Sequence, residues 1–228
     1  MKRNGAEIVP TRLLAYAGIA GPVIFTGLVI VQGVLQPDYS HVRLPISALA
    51  AWPLGWVQET AFLILGLSIM AFAFGLHRGI RPGKTASQGG AGAALLAMGG
   101  LGVLVAAAFP WKMVDGVPTE TPPHVVGAIT AFASTGLGFV RLSRRMGGDA
   151  AWRDLALYTQ VTGIAVLLLF VAVGFFAVND GAPLHAWAGL LQRVLCGVWF
   201  SCVIVLALRL SRSGSQVLGS SGSRVRNQ

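Results

Sequence analysis

The sequence predicts an all-α fold: a polytopic transmembrane bundle of six helices with both termini in the cytoplasm. Three observations carry that expectation. Hydrophobic residues make up 54% of the 228-residue chain and charged residues only 11%, where a soluble domain carries about 25% charged residues. Six apolar stretches, near 12–35, 56–77, 89–109, 123–142, 155–178 and 184–209, each suffice to cross about 30 Å of hydrocarbon, which takes about 20 residues. Lys and Arg gather on alternate loops, as the positive-inside bias requires.

The first stretch follows Lys2, Arg3 and Arg12. It is too long for the apolar part of a secretory signal, and no small-residue cleavage site closes it, so it is expected to remain as span 1. An outer loop, Gln36–Gly55, leads to span 2, after which Arg78, Arg81 and Lys84 mark a cytoplasmic turn. Span 3 holds Gly92, Gly99, Gly100 and Gly102. Small residues let helices approach closely in lipid, so span 3 is expected to be central and tightly packed. The second outer loop, Pro110–Pro123, carries Lys112, Asp115 and Glu120. Arg141, Arg144, Arg145 and Arg153 mark the next cytoplasmic turn, between spans 4 and 5. In span 5, Thr159, Gln160 and Thr162 are expected to bond between helices. Asp180 falls in the last outer turn, and Cys196 and Cys202 in span 6 lie on different faces, too far around the helix to pair with each other. The chain divides into a cytoplasmic N-terminus (1–11), the six-helix domain (12–210) and a Ser/Gly/Arg-rich tail (211–228), expected to be disordered.

The net charge of +9 would suggest nucleic acid in a soluble protein. Here the basic residues sit in short loops beside apolar runs, so the expected partners are membrane lipids, with anionic headgroups at the cytoplasmic face, and no nucleic acid. A second copy or another membrane protein against the glycine-rich third span is a further expectation. Trp52, Trp56, Trp111, Trp152 and Trp187 read as an interfacial aromatic belt.

Arg193 is the sharpest chemical feature. It lies in span 6, about 10 residues past Pro183 and so about 15 Å deep at 1.5 Å per residue. Such a charge needs a partner or a wet cavity. Glu59, in the second turn of span 2, is the candidate partner, and Gln58 and Gln192 extend the candidate network. The alternatives are an ion pair that orients helices and a site for an anion or headgroup. His124, Asp38 and Ser47 complete the candidate ligand-binding set, and His41, Asp115 and Ser40 accompany them. No HxxxH or HExxH presets a metal site, so no metal and no cofactor are expected.

The outer loop also carries a resemblance. Pro37-Asp38-Tyr39-Ser40-His41-Val42-Arg43, Ile46-Ser47-Ala48-Leu49 and Gly55-Trp56-Val57-Gln58 resemble the first outer loop of the prokaryotic membrane proteins catalogued as domain of unknown function 998. Phe109-Pro110, His124 and Gln192-Arg193 look like recurring positions of that family, and the resemblance spans about residues 12–210. Ala48 and Lys112 depart from its pattern, standing where acidic residues are frequent. The resemblance implies a six-helix membrane protein and no established activity.

Three functions fit. The first is binding or transport of a lipid headgroup or small anion through an outward-facing polar pocket centred on Arg193 and Glu59. The second is a non-catalytic accessory subunit. The third is a membrane-embedded lipid hydrolase using His41, His124, Asp38, Asp115 and a serine. The expected location is the bacterial cytoplasmic membrane.

The topology is directly testable. Alkaline phosphatase, active only outside the cytoplasm, should be silent when fused after Gln228 and active when fused after Gly116. Activity at the C-terminal fusion would overturn the orientation.

Overall fold

The computed structural model describes residues 10–81, 89–177 and 181–224, with side chains through Arg212. Lys2, Arg3, Lys84, Asp180 and Arg226, and the side chain of Arg224, lie outside the described residues. Six helices, α1 (Thr11–Leu35), α2 (Gly55–Gly79), α3 (Ala91–Ala108), α4 (Pro122–Gly147), α5 (Ala156–Phe176) and α6 (Ala188–Arg224), form the bundle. All six are long and apolar enough to cross a membrane. Each of the first five packs mainly on its neighbours in sequence, and α6 closes the ring between α5 and α1. Thr11 at the start of α1 and Leu210 of α6 both lie against Gly79, so the two ends of the chain leave from one end of the bundle. The opposite end carries the 36–54 segment, a 3-10 turn at Ile46–Ala51 within it, and a small antiparallel hairpin, β1 (Lys112–Val114) and β2 (Val117–Thr119).

Helices α1, α2, α3 and α5 lack an amphipathic stripe because all of their faces are apolar, whereas α4 is amphipathic. Val34, Leu157, Leu168 and Phe175 are among the large hydrophobic residues left on the outside, at 66–74% exposure. A belt of that kind belongs against acyl chains rather than water. The inside is filled by α6, whose Leu195, Trp199, Val203, Leu206 and Leu210 recur at helical spacing and are all buried. Trp199 stacks edge-on against Phe132 at 5.6 Å and tilts against Phe200 at 5.2 Å, and Phe200 meets Phe25 at 5.7 Å. Cys196 and Cys202 are buried and unbridged.

Close packing of α3 is present, but α3 is not central. Its main partners are α2 and α4. A Cβ at Gly102 would sit 2.5 Å from the backbone nitrogen of Ala131 in α4, and one at Gly100 would sit 2.7 Å from the carbonyl oxygen of Gly66 in α2. Glycines on two faces fix two close neighbours, while the aromatic side chains of α6 occupy the middle. Thr159 and Thr162 donate within α5, to Leu155 O at 2.8 Å and Tyr158 O at 2.9 Å, and both also meet the thiol of Cys202 in α6, as expected of residues that bond between helices. Helix α6 continues in backbone to Arg224, into the segment that composition alone assigns to the tail.

The end bearing the termini is closed by side chains that composition does not single out. Helix α4 runs five residues past its expected limit of 142, and buried Arg145 reaches back to the C-terminus of α2. Its guanidinium donates to the carbonyls of His77 (2.9 Å), Arg81 (3.2 Å) and Ile80. Buried Trp152 donates its indole N–H to Gly79 O at 3.2 Å, so this tryptophan is no part of an aromatic belt. Asp149 accepts from the backbone N–H of Arg81 at 2.9 Å and of Ala151 at 3.0 Å. The last carbonyls of a helix have no intrahelical donor and carry partial negative charge, so a cation there supplies both missing bonds and a favourable field.

Arg145→Gln should therefore lower the thermal midpoint by about 4–8 °C, the equivalent of about 2 kcal/mol. Exposed Arg144→Gln should move it by less than about 2 °C. Equal midpoints for the two variants, read by scanning fluorimetry in mild detergent, would remove Arg145 from the account of α2.

Candidate functional site

The 36–54 segment is a folded cap over the bundle. Tyr39, Ile46, Ser47, Ala48, Leu49 and Ala50 are buried. The amide of buried Gln32 in α1 donates to Leu49 O (3.2 Å) and Leu54 O (2.8 Å), tying the later part of the 3-10 turn and the entry to α2 to one side chain. Gln192 accepts the backbone N–H of Ile46 through its amide oxygen. The free N–H of Leu190, in the first turn of α6, donates to Val42 O at 3.0 Å. Glycine is needed at position 189, because a Cβ there would collide with the carbonyl oxygens of Leu44 and His41.

Arg193 binds this cap. Its Nη1 donates to Gly189 O (3.0 Å) and Leu44 O (3.3 Å), and its Nη2 donates to the Tyr39 hydroxyl (2.7 Å) and His41 Nδ1 (2.9 Å). The Tyr39 O–H is in turn shared between Leu44 O (3.2 Å) and Pro45 O (3.0 Å). The expected ion pair with Glu59 is not formed: among the described residues neither Arg193 nor Glu59 has an ionic partner. The physical reason is the position of the cap. Arg193 stands only five residues into α6, about 8 Å along the helix rather than about 15 Å, and the folded cap offers it carbonyls and rings at hand. Neutral acceptors satisfy its N–H groups without the desolvation of a carboxylate.

Below the cap lies a small cavity of about 40 Å³, lined by Ser47, His124, Gln192, Cys196 and Trp199 among others. His124 is fixed in it: its Nδ1 faces two carbonyls at the end of α3, Ala106 O and Phe109 O, each at 3.1 Å. Carbonyls only accept, so Nδ1 carries the proton and Nε2 keeps a lone pair. The indole N–H of Trp199 and both amide atoms of Gln58 are buried with no partner among the described residues. An apolar groove of about 240 Å³ runs between α1 and α6, past Thr26, Val29, Ile30 and Gly197, with Arg193 on its wall. Phe25, Ile46, Cys196 and Phe200 separate groove from cavity and border both.

Three of the seven residues singled out in the sequence, Ser47, His124 and Gln192, thus meet at one cavity, and Arg193 borders the adjoining groove. Gln58, Glu59 and Asp38 line neither; Asp38 is exposed in the cap. His41, His124 and His185 bond to three different places, Arg193, the end of α3 and Ala177 O. No three His, Cys, Asp or Glu residues gather among the described residues. Trp111 is a buried wall residue rather than a belt residue, while Trp56 and Trp187 are exposed at 62% and 51%. Tyr39 and His41 as ligands of the arginine, and Trp199 in the cavity, are the residues that sequence reasoning missed. The Tyr-Ser-His run in a long loop is the signal that pointed to the first two.

The cap has a pH dependence of known sign. Burial first, and the Arg193 charge second, hold the His41 pKa below its usual 6.5, because protonating Nδ1 would oppose the arginine that donates to it. The stabilisation is fully present above about 6.5 and is lost as pH falls through the lowered folded value. Burial raises the Tyr39 pKa despite Arg193, so its phenol stays neutral throughout. The protection of the Leu44 and Ile46 amides against hydrogen exchange, taken relative to their intrinsic rates at each pH, should fall between pH 7 and pH 5, and this loss should vanish in His41→Gln. Tyr39→Phe should speed exchange there by about tenfold at neutral pH; an unchanged rate would show that Arg193 does not hold the cap.

Comparison with known proteins adds one match. The family described as "Protein of unknown function (DUF998)" matches over residues 19–209, a range that contains the cap, the cavity and the groove. No curated protein and no solved structure matches the chain significantly. The match covers most of the chain, and the protein is a member of the DUF998 family.

Proposed function

We propose that the protein binds a phospholipid in the outer half of the bacterial cytoplasmic membrane, with an acyl chain in the α1–α6 groove and the phosphate at Arg193. With the termini in the cytoplasm, as the distribution of Lys and Arg indicates, the cap faces outward. The observation that carries the reading is the state of Arg193. It borders an apolar groove on the lipid-facing side of the bundle, and no carboxylate neutralises it among the described residues. Neutral acceptors satisfy the Nη N–H groups but leave the charge, and the Nε–H has no protein acceptor among the described residues. A phosphate oxygen supplies both the counter-charge and the missing acceptor. The groove walls, Phe25, Val29, Ile30 and Phe200, match an acyl chain.

The test separates the groove from the cap. A Cβ at Gly197 meets nothing within 4 Å, so Gly197→Leu enters the groove without a clash at its Cβ and leaves every hydrogen-bonding group of the cap in place. Native mass spectrometry of protein extracted in mild detergent should find a retained phospholipid on the unaltered chain. Gly197→Leu should cut its occupancy by about tenfold with the thermal midpoint unchanged, and Arg193→Gln should shed the lipid and loosen the cap together. A chain that emerges without lipid from anionic vesicles, or equal occupancy in Gly197→Leu, would overturn the proposal.

A further inference from the structure

The hairpin end of the bundle holds a second, larger cavity on the other side of the cap. It measures about 670 Å³ and opens between the cap (Arg43, Leu44 and Pro45), the hairpin and the start of α6. That lies within the range of small-molecule sites, about 300–1,000 Å³. Its hairpin wall is set by the Asp115-Gly116 turn, where both residues have positive φ, 49° and 77°. This is the primed two-residue turn that matches strand twist. The pairing of Lys112 with Thr119 and of Val114 with Val117 then places Glu120 directly after β2. Thr121 donates to Phe109 O at 3.0 Å, fixing the return into α4. On the cap side, the Arg43 backbone N–H donates to Ser40 Oγ at 3.3 Å.

Arg43 and Glu120 therefore line one cavity from two separately anchored walls, and they form no ion pair. Neither has any other charged or hydrogen-bonding side-chain partner among the described residues. Glu120 is half-buried, and burial raises its pKa above the ordinary carboxylate value. A carboxylate drawn partly out of water without a donor costs free energy unless a cation joins it. Trp111 forms part of the same wall and is 8% exposed, and the His185 ring lines the α6 side. A cation and a carboxylate on facing walls of a solvent-open cavity are the complement of a ligand that carries both charges.

We infer that this vestibule binds a zwitterion, its ammonium at Glu120 and its phosphate or carboxylate at Arg43. It shares no side chain with the groove at Arg193 and does not depend on the lipid reading above. A zwitterionic phospholipid headgroup of the outer leaflet and a free zwitterion share this chemistry.

Calorimetric titration of the full chain in detergent, with glycerophosphoethanolamine and with glycerol phosphate as probes, tests it. Glycerophosphoethanolamine should bind more tightly than glycerol phosphate, which lacks the ammonium. Glu120→Gln should weaken glycerophosphoethanolamine by about tenfold and leave glycerol phosphate unchanged, whereas Arg43→Gln should weaken both by about tenfold. In nanodiscs, competition by phosphatidylethanolamine but not by phosphatidylglycerol assigns the site to a membrane headgroup, and its absence assigns it to a free zwitterion. No heat with glycerophosphoethanolamine up to about 10 mM, or equal weakening of both probes by Glu120→Gln, would overturn the inference.

Discussion

The guanidinium of Arg193 is the interaction on which the cap end depends. A loop of about 20 residues between two membrane helices has no reason to fold by itself: it is short of backbone partners and of apolar mass. Here one side chain on α6 gathers Tyr39, His41 and the carbonyls of Leu44 and Gly189 within a single planar fork. The adjacent Gln192 takes the N–H of Ile46, and Gln32 reaches in from α1 to the other end of the turn. Remove the fork and the 39–44 part of the cap loses its tie to α6, leaving the 3-10 turn to Gln192 and Gln32 alone. The cavity, the groove and the vestibule all have this segment as a wall.

The opposite end of the bundle uses the same chemistry with a different arginine. Arg145 clasps the last carbonyls of α2 as Arg193 clasps those of the cap. In both places a cation at the edge of the apolar core is held by neutral oxygens. The ion pair between Arg209 and Asp154, at 3.1 Å, is solvent-exposed and contributes at most about 1 kcal/mol. An arginine among neutral acceptors engages several donors, four at Arg193 and three at Arg145, without bringing a second charge out of water. The difference lies in the surroundings. Asp149 stands close enough to Arg145 for its charge to be felt, whereas Arg193 forms no ion pair among the described residues. That asymmetry makes Arg193 the better candidate for an anionic ligand.

Helix positions were legible because membrane spans are written in length and hydropathy. The observed limits of α1, α2, α3 and α5 lie within two residues of those read from the apolar runs. The partners of Arg193 were not legible from depth alone. Counting residues from Pro183 treats the loop as outside the bundle, and only the folded cap brings Tyr39 and His41 down to the arginine. His124 reads in the sequence as an outer-face histidine at a helix start, Ser47 as a loop residue beside His41 and Gln192 as a neighbour of Arg193, and the bundle brings the three to one cavity. Trp199 was invisible for a different reason. An aromatic in a span looks like packing, and its unpartnered N–H appears only once its neighbours are known. The hairpin was hidden as well, since Asp115-Gly116 is a strong turn signal inside a stretch too short to read as strands.

The cap also explains why the two candidate sites stay separate. Leu44 and Pro45 face the vestibule, while the next residue, Ile46, faces the groove and the cavity. The backbone at Leu44–Ile46 is thus a partition between a charged, solvent-open space and an apolar one. Its polar atoms are taken up along the line of contact, Leu44 O by Arg193 and Ile46 N–H by Gln192. Backbone groups left open there would draw water into the groove. The two side chains that close them are consecutive in α6, so the partition stands or falls with one turn of one helix. Two spaces that share so thin a wall cannot change shape independently: a ligand that draws the Arg193 guanidinium away from Leu44 O moves the floor of the vestibule as well.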